Sequence, residues 1–335
     1  MPGRIGISIL SLGAPPECGL DASLRALAGL GREIQIVHRV QMASKVAPRE
    51  EDLGADVRRR WILQPDNMGF ARGHNENVKL LDDCPLIWTL NDDVLFDPST
   101  LGALAAFLEG NSPCVLAGPE IVPIDSTIAR GEALGRAHDL GIGWWRPRKG
   151  IVEQARGGAG KAPQPGLAHY SFVSGCAPLW KRDAFVELGG FCEPLFLYHE
   201  DTDLALRARD RFGDRAIGFC AGAKVFHFEG SSGKPWLTPR RRRDRSVLFD
   251  YFDMRNGAYL IARHSRGTGA RWSAGLYYTL RAFRKLARPW IRRESRRRTK
   301  NAFTLRGMRD GLAVVRGRAI RIDPRVSRAI EGLAR

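Results

Sequence analysis

The chain of 335 residues lacks the features that define several large classes of protein. Its six cysteines show neither Cys-x-x-Cys pairs nor zinc-type spacing, which predicts reduced, mostly buried thiols rather than a disulfide framework. No apolar run approaches the roughly 20 residues that a membrane-spanning helix needs. No internal repeat or secretory signal is evident, since the first residues run directly into a strand pattern. These absences predict a cytoplasmic protein with one large domain and an appendage.

Charge is distributed unevenly along the chain. The whole chain has 53 Lys and Arg against 36 Asp and Glu, a net charge of +17, but residues 234–335 alone carry 28 basic and 7 acidic residues. Residues 1–233 are therefore slightly acidic. We predict a domain boundary at this change in composition, between a first domain of residues 1–233 and a basic, mainly helical extension of residues 234–335.

The basic extension contains an amphipathic segment. Apolar residues recur at helical spacing from Trp272 to Ala287, with interleaved arginines, until Pro289, which should break or kink the helix. One interpretation is a helix that lies in the interface of an anionic membrane. The other is a helix whose apolar face docks on the first domain while its arginines are solvated. Nucleic acid is not favoured as a partner, because no helix-turn-helix, zinc-finger or RNA-recognition signature accompanies the charge.

Three carboxylates within four residues mark the segment from Tyr198 to Arg207. Glu200, Asp201 and Asp203 stand where an apolar run gives way to a helical pattern. Like charges this close raise one another's pKa and favour the binding of a cation or a proton. The alternative interpretation is a helix N-terminus, where acidic residues interact favourably with the helix dipole. Asp203 and Arg207 are expected to pair across one helical turn, and so to support the structure.

A second acidic cluster lies upstream. The run from Leu86 to Leu90 is continuously apolar, which is typical of a buried parallel strand. It ends in Asn91, Asp92 and Asp93. Open α/β sheets bind their ligands at the carboxyl ends of such strands, and oxygen ligands at this spacing suit Mg²⁺ or Mn²⁺ that also holds phosphate oxygens. The alternative is a simple turn, since Asn and Asp are common turn residues.

A third element is the strand pattern from Ala223 to Phe228, which contains His227 and leads into a Gly- and Ser-rich loop. A lone histidine in a strand is more often structural than a ligand. This histidine, however, follows the acidic helix and precedes a loop that could cover a ligand. His227 is therefore a candidate for a remaining metal ligand.

Four short segments occur in a fixed order within a longer stretch that runs from about Ile5 to Arg263. They are Asn67–Asn75, Asn91–Asp93, Gly175–Arg207 with its Gly189-Gly190-Phe191 turn, and Val225–Ser231. Together they resemble family 2 glycosyltransferases of the GT-A fold, in particular the bacterial rhamnosyltransferase-like branch. The resemblance implies an α/β fold with a mostly parallel, nucleotide-binding sheet flanked by helices. It also implies an inverting, metal-dependent enzyme of cell-envelope polysaccharide synthesis. Such an enzyme would be attached peripherally to the inner face of the cell membrane.

The resemblance also implies partners and site residues. The donor would be a nucleoside-diphosphate sugar, with UDP or dTDP favoured, and the acceptor a hydroxyl of a glycan or a lipid-linked sugar. Asp201 is implied as the general base, with Glu200 as a contact to the acceptor. Asp93 is implied as the first ligand of Mg²⁺ or Mn²⁺, with Asn91 and His227 beside it. The residues implied to contact the donor, among which the arginine matches phosphate geometry, are Asn67, Arg72, Asn75 and Asp92.

Two departures from the family pattern bear on the donor and on a turn. The second strand, Ile34 to Val37, runs into His38-Arg39-Val40 without the terminal Asp that contacts the nucleobase in the family. Cys192 replaces the Asp that usually follows the Gly-Gly-Phe turn. A catalytically silent relative, which binds a nucleotide or glycan as a membrane-docked assembly partner, is therefore the alternative function. A nucleotidyltransferase is not favoured, because residues 11–16 supply no Gly-rich phosphate loop with a lysine.

The region between the two acidic clusters has weaker patterns. Leu101 to Leu108 predicts a helix, and Cys114 to Ala117 predicts a short strand. Residues 125–166 are rich in Gly, Arg and Pro, which predicts a long irregular segment of the lid or binding-loop type. Within it, Trp144 and Trp145 would either stack on a sugar or anchor the loop.

Overall fold

The structure is a computed structural model that describes most of the chain. The described residues are 3–13, 19–43, 52–124, 138–157, 166–167, 169–228, 247–292, 296–316 and a few further positions up to 329. The predicted boundary between residues 233 and 234 lies outside them, as do Cys18 and the Gly- and Ser-rich loop after His227. The other five cysteines are free thiols, four of them buried, as their scattered spacing predicts.

An eight-stranded, mostly parallel sheet forms the centre of the molecule. Its strands are β1 (Ile5–Leu12), β2 (Ile34–Gln41), β3 (Val57–Gln64), β4 (Leu86–Asn91), β5 (Val94–Phe96), β6 (Leu116–Pro123), β10 (Leu179–Lys181) and β11 (Ile217–His227). Their spatial order is β3-β2-β1-β4-β10-β6-β11-β5, and only β10 and β5 run antiparallel to their neighbours. The predicted strand from 114 to 117 starts and ends later, as β6.

Both faces of the sheet are covered by helices. The helices are α1 (Leu20–Ala26), α2 (Gly69–Lys79), α3 (Pro98–Gly110), α4 (Arg182–Glu187) and α5 (Glu200–Phe212), with short 3-10 turns at Leu27–Gly29 and Glu193–Leu195. Trp88 and Leu90 of β4 pack in the core cluster of α1 and α3, whereas Ile87 packs in the cluster of α2, α4 and α5. Because successive side chains of a strand point to opposite faces, a strand buried on both sides must be continuously apolar. This explains the run that predicted β4.

Strand β2 is longer than its apolar residues predict. It continues from Ile34 through His38 and Arg39 to Gln41, because it pairs over its whole length with β1 on one side and β3 on the other. The backbone hydrogen bonds therefore extend the strand through polar residues. His38 is buried there, 4.3 Å from the ring of Trp61 and stacked on it.

Residues 138–157 form a hairpin rather than the predicted irregular segment. β7 (His138–Arg146) pairs antiparallel with β8 (Ile151–Gly157) and with β9 (Phe172–Val173). Gly143 allows this pairing, since a Cβ there would lie 2.3 Å from the carbonyl oxygen of Glu153. Trp145 is buried, and Trp144 lies 5.5 Å from the ring of Tyr170, so both anchor the hairpin. The remainder of the predicted irregular segment, 125–137 and 158–165, lies outside the described residues.

Three long helices follow the sheet domain: α6 (Val247–His264), α7 (Thr268–Ile291) and α8 (Arg297–Val315). Helix α6 is largely buried, and α8 packs closely on it, since a Cβ at Gly307 would lie 2.4 Å from the carbonyl oxygen of Tyr251. Pro289 does not break α7 before its end: it lies in the last turn, where the loss of one backbone donor affects little remaining helix. None of the described helices combines the length and the apolar character that crossing a bilayer requires.

Candidate functional site

A cavity of about 360 Å³, the first cavity, lies at the carboxyl edge of the central sheet. It is lined by polar residues at or next to the last positions of β1, β2, β4 and β11, namely Ser11, Gln41, Asn91 and His227. Because these four strands run parallel, their carboxyl ends meet at one edge. Open α/β sheets place their ligands at this edge.

The second acidic cluster and the late histidine meet in the wall of the first cavity. Nε2 of His227 lies 3.0 Å from Oδ1 of Asp93, which is 134 positions earlier in the chain, and 3.3 Å from the amide nitrogen of Asn91. Asp92 is buried beside them and accepts a hydrogen bond from Ser11. The structure thus brings together the residues that two separate sequence segments predict.

This cluster binds protons more strongly than exposed groups do. Burial, and then repulsion from Asp93, raise the pKa of Asp92 to about 7. Burial alone would lower the pKa of His227, but Cys176 and the hydrogen-bonded Asp93 outweigh it and raise that pKa well above its ordinary value. Protons on Asp92 and His227 therefore offset part of the negative charge of this cluster. A divalent cation would offset that charge more strongly.

The donor atoms suit a divalent cation that also binds phosphate. Asp93 offers a carboxylate oxygen, His227 an imidazole nitrogen and Asn91 an amide oxygen, and Mn²⁺ or Mg²⁺ accepts such ligands. Within the described residues, no group of three or more His, Cys, Asp or Glu side chains is placed to hold a metal ion by itself. A cation here would keep open positions for oxygen atoms of a bound ligand.

Helix α2 begins at the first cavity. Asn67 lines the cavity, and its Oδ1 accepts a hydrogen bond of 2.9 Å from the amide of Gly69. Gly69 has a φ of +81°, and a Cβ there would lie 2.5 Å from the ring of Phe196, so this position requires glycine. The amide of Phe70 donates to the carbonyl of Phe196 at 2.7 Å. The start of α2 is therefore tied to the segment that precedes α5.

Arg72 and Asn75 do not line the first cavity. Arg72 is exposed on α2. The side-chain oxygen of Asn75 accepts a hydrogen bond of 2.9 Å from the backbone nitrogen of Phe191, and its side-chain nitrogen donates one of 2.9 Å to the carbonyl of the same residue. The same nitrogen lies 3.2 Å from a carboxylate oxygen of Glu193. Asn75 thus fixes the Gly-Gly-Phe turn. A contact of either residue with a nucleotide stays a prediction.

Two residues in the wall were not singled out by the sequence patterns. Gln41 stands at the end of β2, and its side chain accepts a hydrogen bond of 2.6 Å from the amide of Met68. His74 lies 2.7 Å from the hydroxyl of Ser8, and burial lowers its pKa to about 3, so its ring is neutral. The only sequence signal for His74 was its place within the segment Asn67–Asn75.

A cavity of about 500 Å³, the second cavity, lies between β8, the start of α5 and helices α6 and α7. It contains Asp201, whose Oδ2 accepts from the amide of Gly175 at 2.9 Å and whose Oδ1 accepts from the amide of Thr202 at 2.6 Å. Burial raises the pKa of Asp201 above the ordinary value, although these hydrogen bonds act against the increase. The carboxylate is therefore held in one orientation and is more basic than an exposed aspartate.

Glu200 has a different environment from its neighbour. It is 4% exposed and lines neither cavity, and its Oε2 has no hydrogen-bond partner among the described residues. Burial, followed by repulsion from Asp201, raises the pKa of Glu200 well above its usual range. Its predicted contact with an acceptor stays a prediction.

Asp203 is structural, as its spacing from Arg207 predicts. Nε of Arg207 lies 2.8 Å from Oδ2 of Asp203, and Nε2 of His264 on α6 lies 2.8 Å from Oδ1. Arg207 also donates to the carbonyl of Gly190 at 2.8 Å. This buried network joins α5, α6 and the Gly-Gly-Phe turn.

The segment before Asp201 separates the two cavities and has an unusual backbone. Phe196, Tyr198 and His199 have φ values of 66°, 66° and 72°, which non-glycine residues rarely adopt. Two buried side chains of α6 hold it: Arg255 donates to the carbonyls of residues 194 and 195, and Asn256 donates to those of residues 195, 197 and 198. Tyr198 lines both cavities. We call residues 195–199 the bridging segment.

Comparison with known proteins supports the fold. No sequence-family profile and no curated protein matches the chain in sequence. The mannosyltransferase PcManGT from Pyrobaculum calidifontis, solved with GDP-Man and Mn²⁺, superposes with a TM-score of 0.50 and 12% identity, over 100% of this chain and 80% of its own. Residues 1–349 of TarS from S. aureus, solved with UDP-GlcNAc, superpose with a TM-score of 0.48 and 11% identity, over 96% of this chain and 94% of their own. The likeness to the mannosyltransferase confirms the predicted GT-A-type α/β fold with its helical C-terminal region.

Proposed function

We propose that the protein is a glycosyltransferase that moves a sugar from a nucleoside diphosphate to an acceptor hydroxyl. The observation that carries the proposal is the meeting of two cavities at the bridging segment, with Asp93 and His227 in one and Asp201 in the other. A donor in the first cavity and an acceptor in the second would have their reacting atoms at this segment. The fold shared with a mannosyltransferase supports the same function.

Asp201 is the proposed general base. Gly175 and Thr202 orient its carboxylate, and its raised pKa strengthens its attraction for the acceptor proton. As the acceptor oxygen attacks the anomeric carbon opposite the leaving diphosphate, its proton passes to Asp201. Attack from this side inverts the configuration of the sugar.

Asp93, His227 and Asn91 are the residues that would hold Mg²⁺ or Mn²⁺. When bound, such a cation acts as a Lewis acid and neutralises the charge that develops on the leaving diphosphate. Asp92, held by Ser11, keeps a second carboxylate next to these ligands. The mannosyltransferase of similar fold was solved with Mn²⁺, which is consistent with this role.

Donor recognition would use neutral groups. Asn67 offers an amide nitrogen in the first cavity, whereas the amide of Gln41 is bound to the backbone of Met68 and Gly69, and β2 carries no carboxylate at its end. The sequence resemblance favours a UDP- or dTDP-sugar of rhamnosyl type and a glycan or lipid-linked acceptor. The mannosyltransferase of similar fold was solved with GDP-Man, so guanine belongs among the bases to be tested.

Thermal unfolding with UDP, dTDP, GDP and CMP, each with and without Mn²⁺, tests the first cavity. One nucleotide with Mn²⁺ should stabilise the wild type by roughly 2.7 kcal/mol at about 100 times its dissociation constant. Asp93→Ala should lose this shift, whereas Asp183→Ala, which removes an exposed carboxylate on α4, should keep it. No shift with any nucleotide would contradict the proposal.

Release of the nucleoside diphosphate from the nucleotide sugar selected in this way tests Asp201. Asp201→Asn should retain the thermal shift but lose roughly 10²–10⁴-fold in rate, the usual contribution of a general base. Asp210→Asn, on the exposed side of the same helix, is the matched control and should keep the rate. A wild type that binds the nucleotide but turns over no nucleotide sugar would instead support the silent relative that acts as an assembly partner.

A further inference from the structure

Helix α7 turns its apolar residues away from the protein. Trp272, Phe283 and Ile291 are 78%, 66% and 79% exposed. They belong to one stripe along the helix, since residues three, four and seven apart share a face. The exposed members of this outer stripe are Trp272, Leu276, Leu280, Phe283, Trp290 and Ile291. The interpretation in which this apolar face docks on the first domain is therefore wrong.

The opposite face of α7 explains this orientation. It carries buried Ala274 and Ala282, whose small side chains allow α7 to approach its neighbours closely. Arg281 forms an ion pair with Asp253 of α6, and Nζ of Lys285 lies 2.8 Å from the second carboxylate oxygen of Asp253. These ion pairs hold the pKa of the buried Asp253 well below its usual range, although its burial acts to raise it. Charge pairing thus turns Arg281 and Lys285 of α7 inward and leaves the outer stripe facing outward.

Helix α8 continues the apolar surface. A groove of about 970 Å³ between α6, α7 and α8 is lined mainly by carbon, with Trp272 and Leu276 on one wall and Leu312 and Val315 on the other. All four of these side chains are exposed. The outer stripe and this groove therefore form one apolar surface.

Basic residues surround the apolar surface. Besides Arg281 and Lys285, which pair inward with α6, and the buried Lys300, helices α7 and α8 contain seven arginines, and Asp310 is the only acidic residue in either helix. Arg298 and Arg316 are exposed on the same face of α8 as Leu312. The guanidinium of Arg297 lies 4.6 Å from the ring centre of Trp290 on α7. Aromatic side chains with arginines nearby match an interface that is apolar below and anionic above.

We propose that α7 and α8 dock on the surface of an anionic lipid bilayer, with the outer stripe inserted at the level of the headgroups. Each arginine near such a surface adds attraction to the anionic lipids. A second copy of the chain is a poor occupant, because a self-complementary interface would bring two strongly basic faces together. This proposal goes beyond the proposed function and does not rest on it.

Vesicle flotation with the full chain tests the proposal. The wild type should float with vesicles of phosphatidylcholine and phosphatidylglycerol, but far less with phosphatidylcholine alone. The double variant Trp272→Ser with Phe283→Ser should bind roughly tenfold more weakly or worse, since it removes two apolar anchors. Because both side chains are exposed, the variant should fold normally. Val186→Ser, an exposed apolar residue on α4, is the matched control and should bind as the wild type does.

Charge reversal tests the basic part of the surface. Arg298→Glu with Arg316→Glu should weaken binding at least roughly a hundredfold, because four units of charge change near the lipids. Arg58→Glu with Arg60→Glu makes the same change in net charge on β3 and should have little effect.

Insertion is distinguished from adsorption by tryptophan fluorescence. Lipids brominated in their acyl chains should quench the wild type, and the Trp272→Ser with Phe283→Ser variant should lose most of this quenching. Three results would overturn the proposal: no flotation, flotation that the β3 variant impairs equally, or a stable dimer that only the stripe variant dissociates.

Discussion

Glu200 and Asp201 are adjacent carboxylates whose surroundings differ. Asp201 accepts hydrogen bonds in the second cavity, whereas Glu200 is buried without a partner for Oε2 among the described residues. The folded chain therefore favours the protonated form of Glu200. When folding raises the pKa of a glutamic acid, its contribution to the free energy of unfolding is fully present below the unfolded pKa of about 4.3. This contribution is lost as the pH rises through the folded pKa.

Glu200→Gln is expected to stabilise the protein increasingly as the pH rises, because the amide resembles the protonated acid. The difference in unfolding free energy from the wild type should be near zero in acid and grow by up to about 1.4 kcal/mol per pH unit between the two pKa values. Urea unfolding over this pH range measures it. Glu187→Gln, at an exposed site, should show no such trend, and a flat difference for Glu200→Gln would contradict the prediction.

Helix α6 supports the site from outside the sheet domain. Its buried Arg255 and Asn256 bind backbone carbonyls of the bridging segment and hold it in conformations with positive φ. Backbone strain of this kind persists only where surrounding contacts determine it. The position of Asp201 therefore depends on a helix that follows it by about fifty residues in the chain.

Asn256→Ala should destabilise the protein by roughly 2–4 kcal/mol, because it leaves the carbonyls of residues 195, 197 and 198 without this donor. Transfer should fall further than the loss of folded protein explains, because the bridging segment relaxes. Denaturant unfolding and the turnover rate below the transition measure both effects. Asn301→Ala loses one hydrogen bond, to the carbonyl of Leu286, and should cost roughly 1 kcal/mol. Equal losses in the two variants would argue against the role of Asn256.

Sequence patterns predicted the elements in which the type of each residue reflects whether it is buried or exposed. The apolar run of β4 and the carboxylates after it located the wall of the first cavity, because parallel strands end at one edge of a sheet. The hairpin β7–β8 was missed, since Gly143 looks like a loop residue until its packing on β8 is known. The amphipathic pattern predicted α7, but not the side that faces outward. That side depends on ion pairs with Asp253 on another helix.

The composition of the whole molecule predicts two units, but the contacts join them. Helix α6, the first one described after residue 233, carries the groups that hold the bridging segment, and His264 at its end pairs with the buried Asp203. These contacts join residues that are distant from each other in the sequence, so charge and composition did not reveal them. Helices α6 and α7 supply walls of the second cavity, and α6 supplies the residues that hold the bridging segment.

A chain that ends at residue 246 is therefore expected to lose its stable fold. It lacks α6, which has Tyr251, Phe252 and Asn256 fully buried. Circular dichroism, gel filtration and the nucleotide-dependent thermal shift should all show the loss. A chain that ends at residue 329 keeps every described residue and should behave as the full chain does. A folded, nucleotide-binding chain ending at 246 would contradict this expectation.

Because Tyr198 lines both cavities, a ligand in one would meet the same side chain as a ligand in the other. A ligand that moves its ring from one side changes the wall that the other ligand meets. By reciprocity, any factor by which the first ligand alters the affinity for the second is the factor by which the second alters the affinity for the first. The strength of this coupling, which is the same in both directions, would then depend on the conformation of one short stretch of backbone.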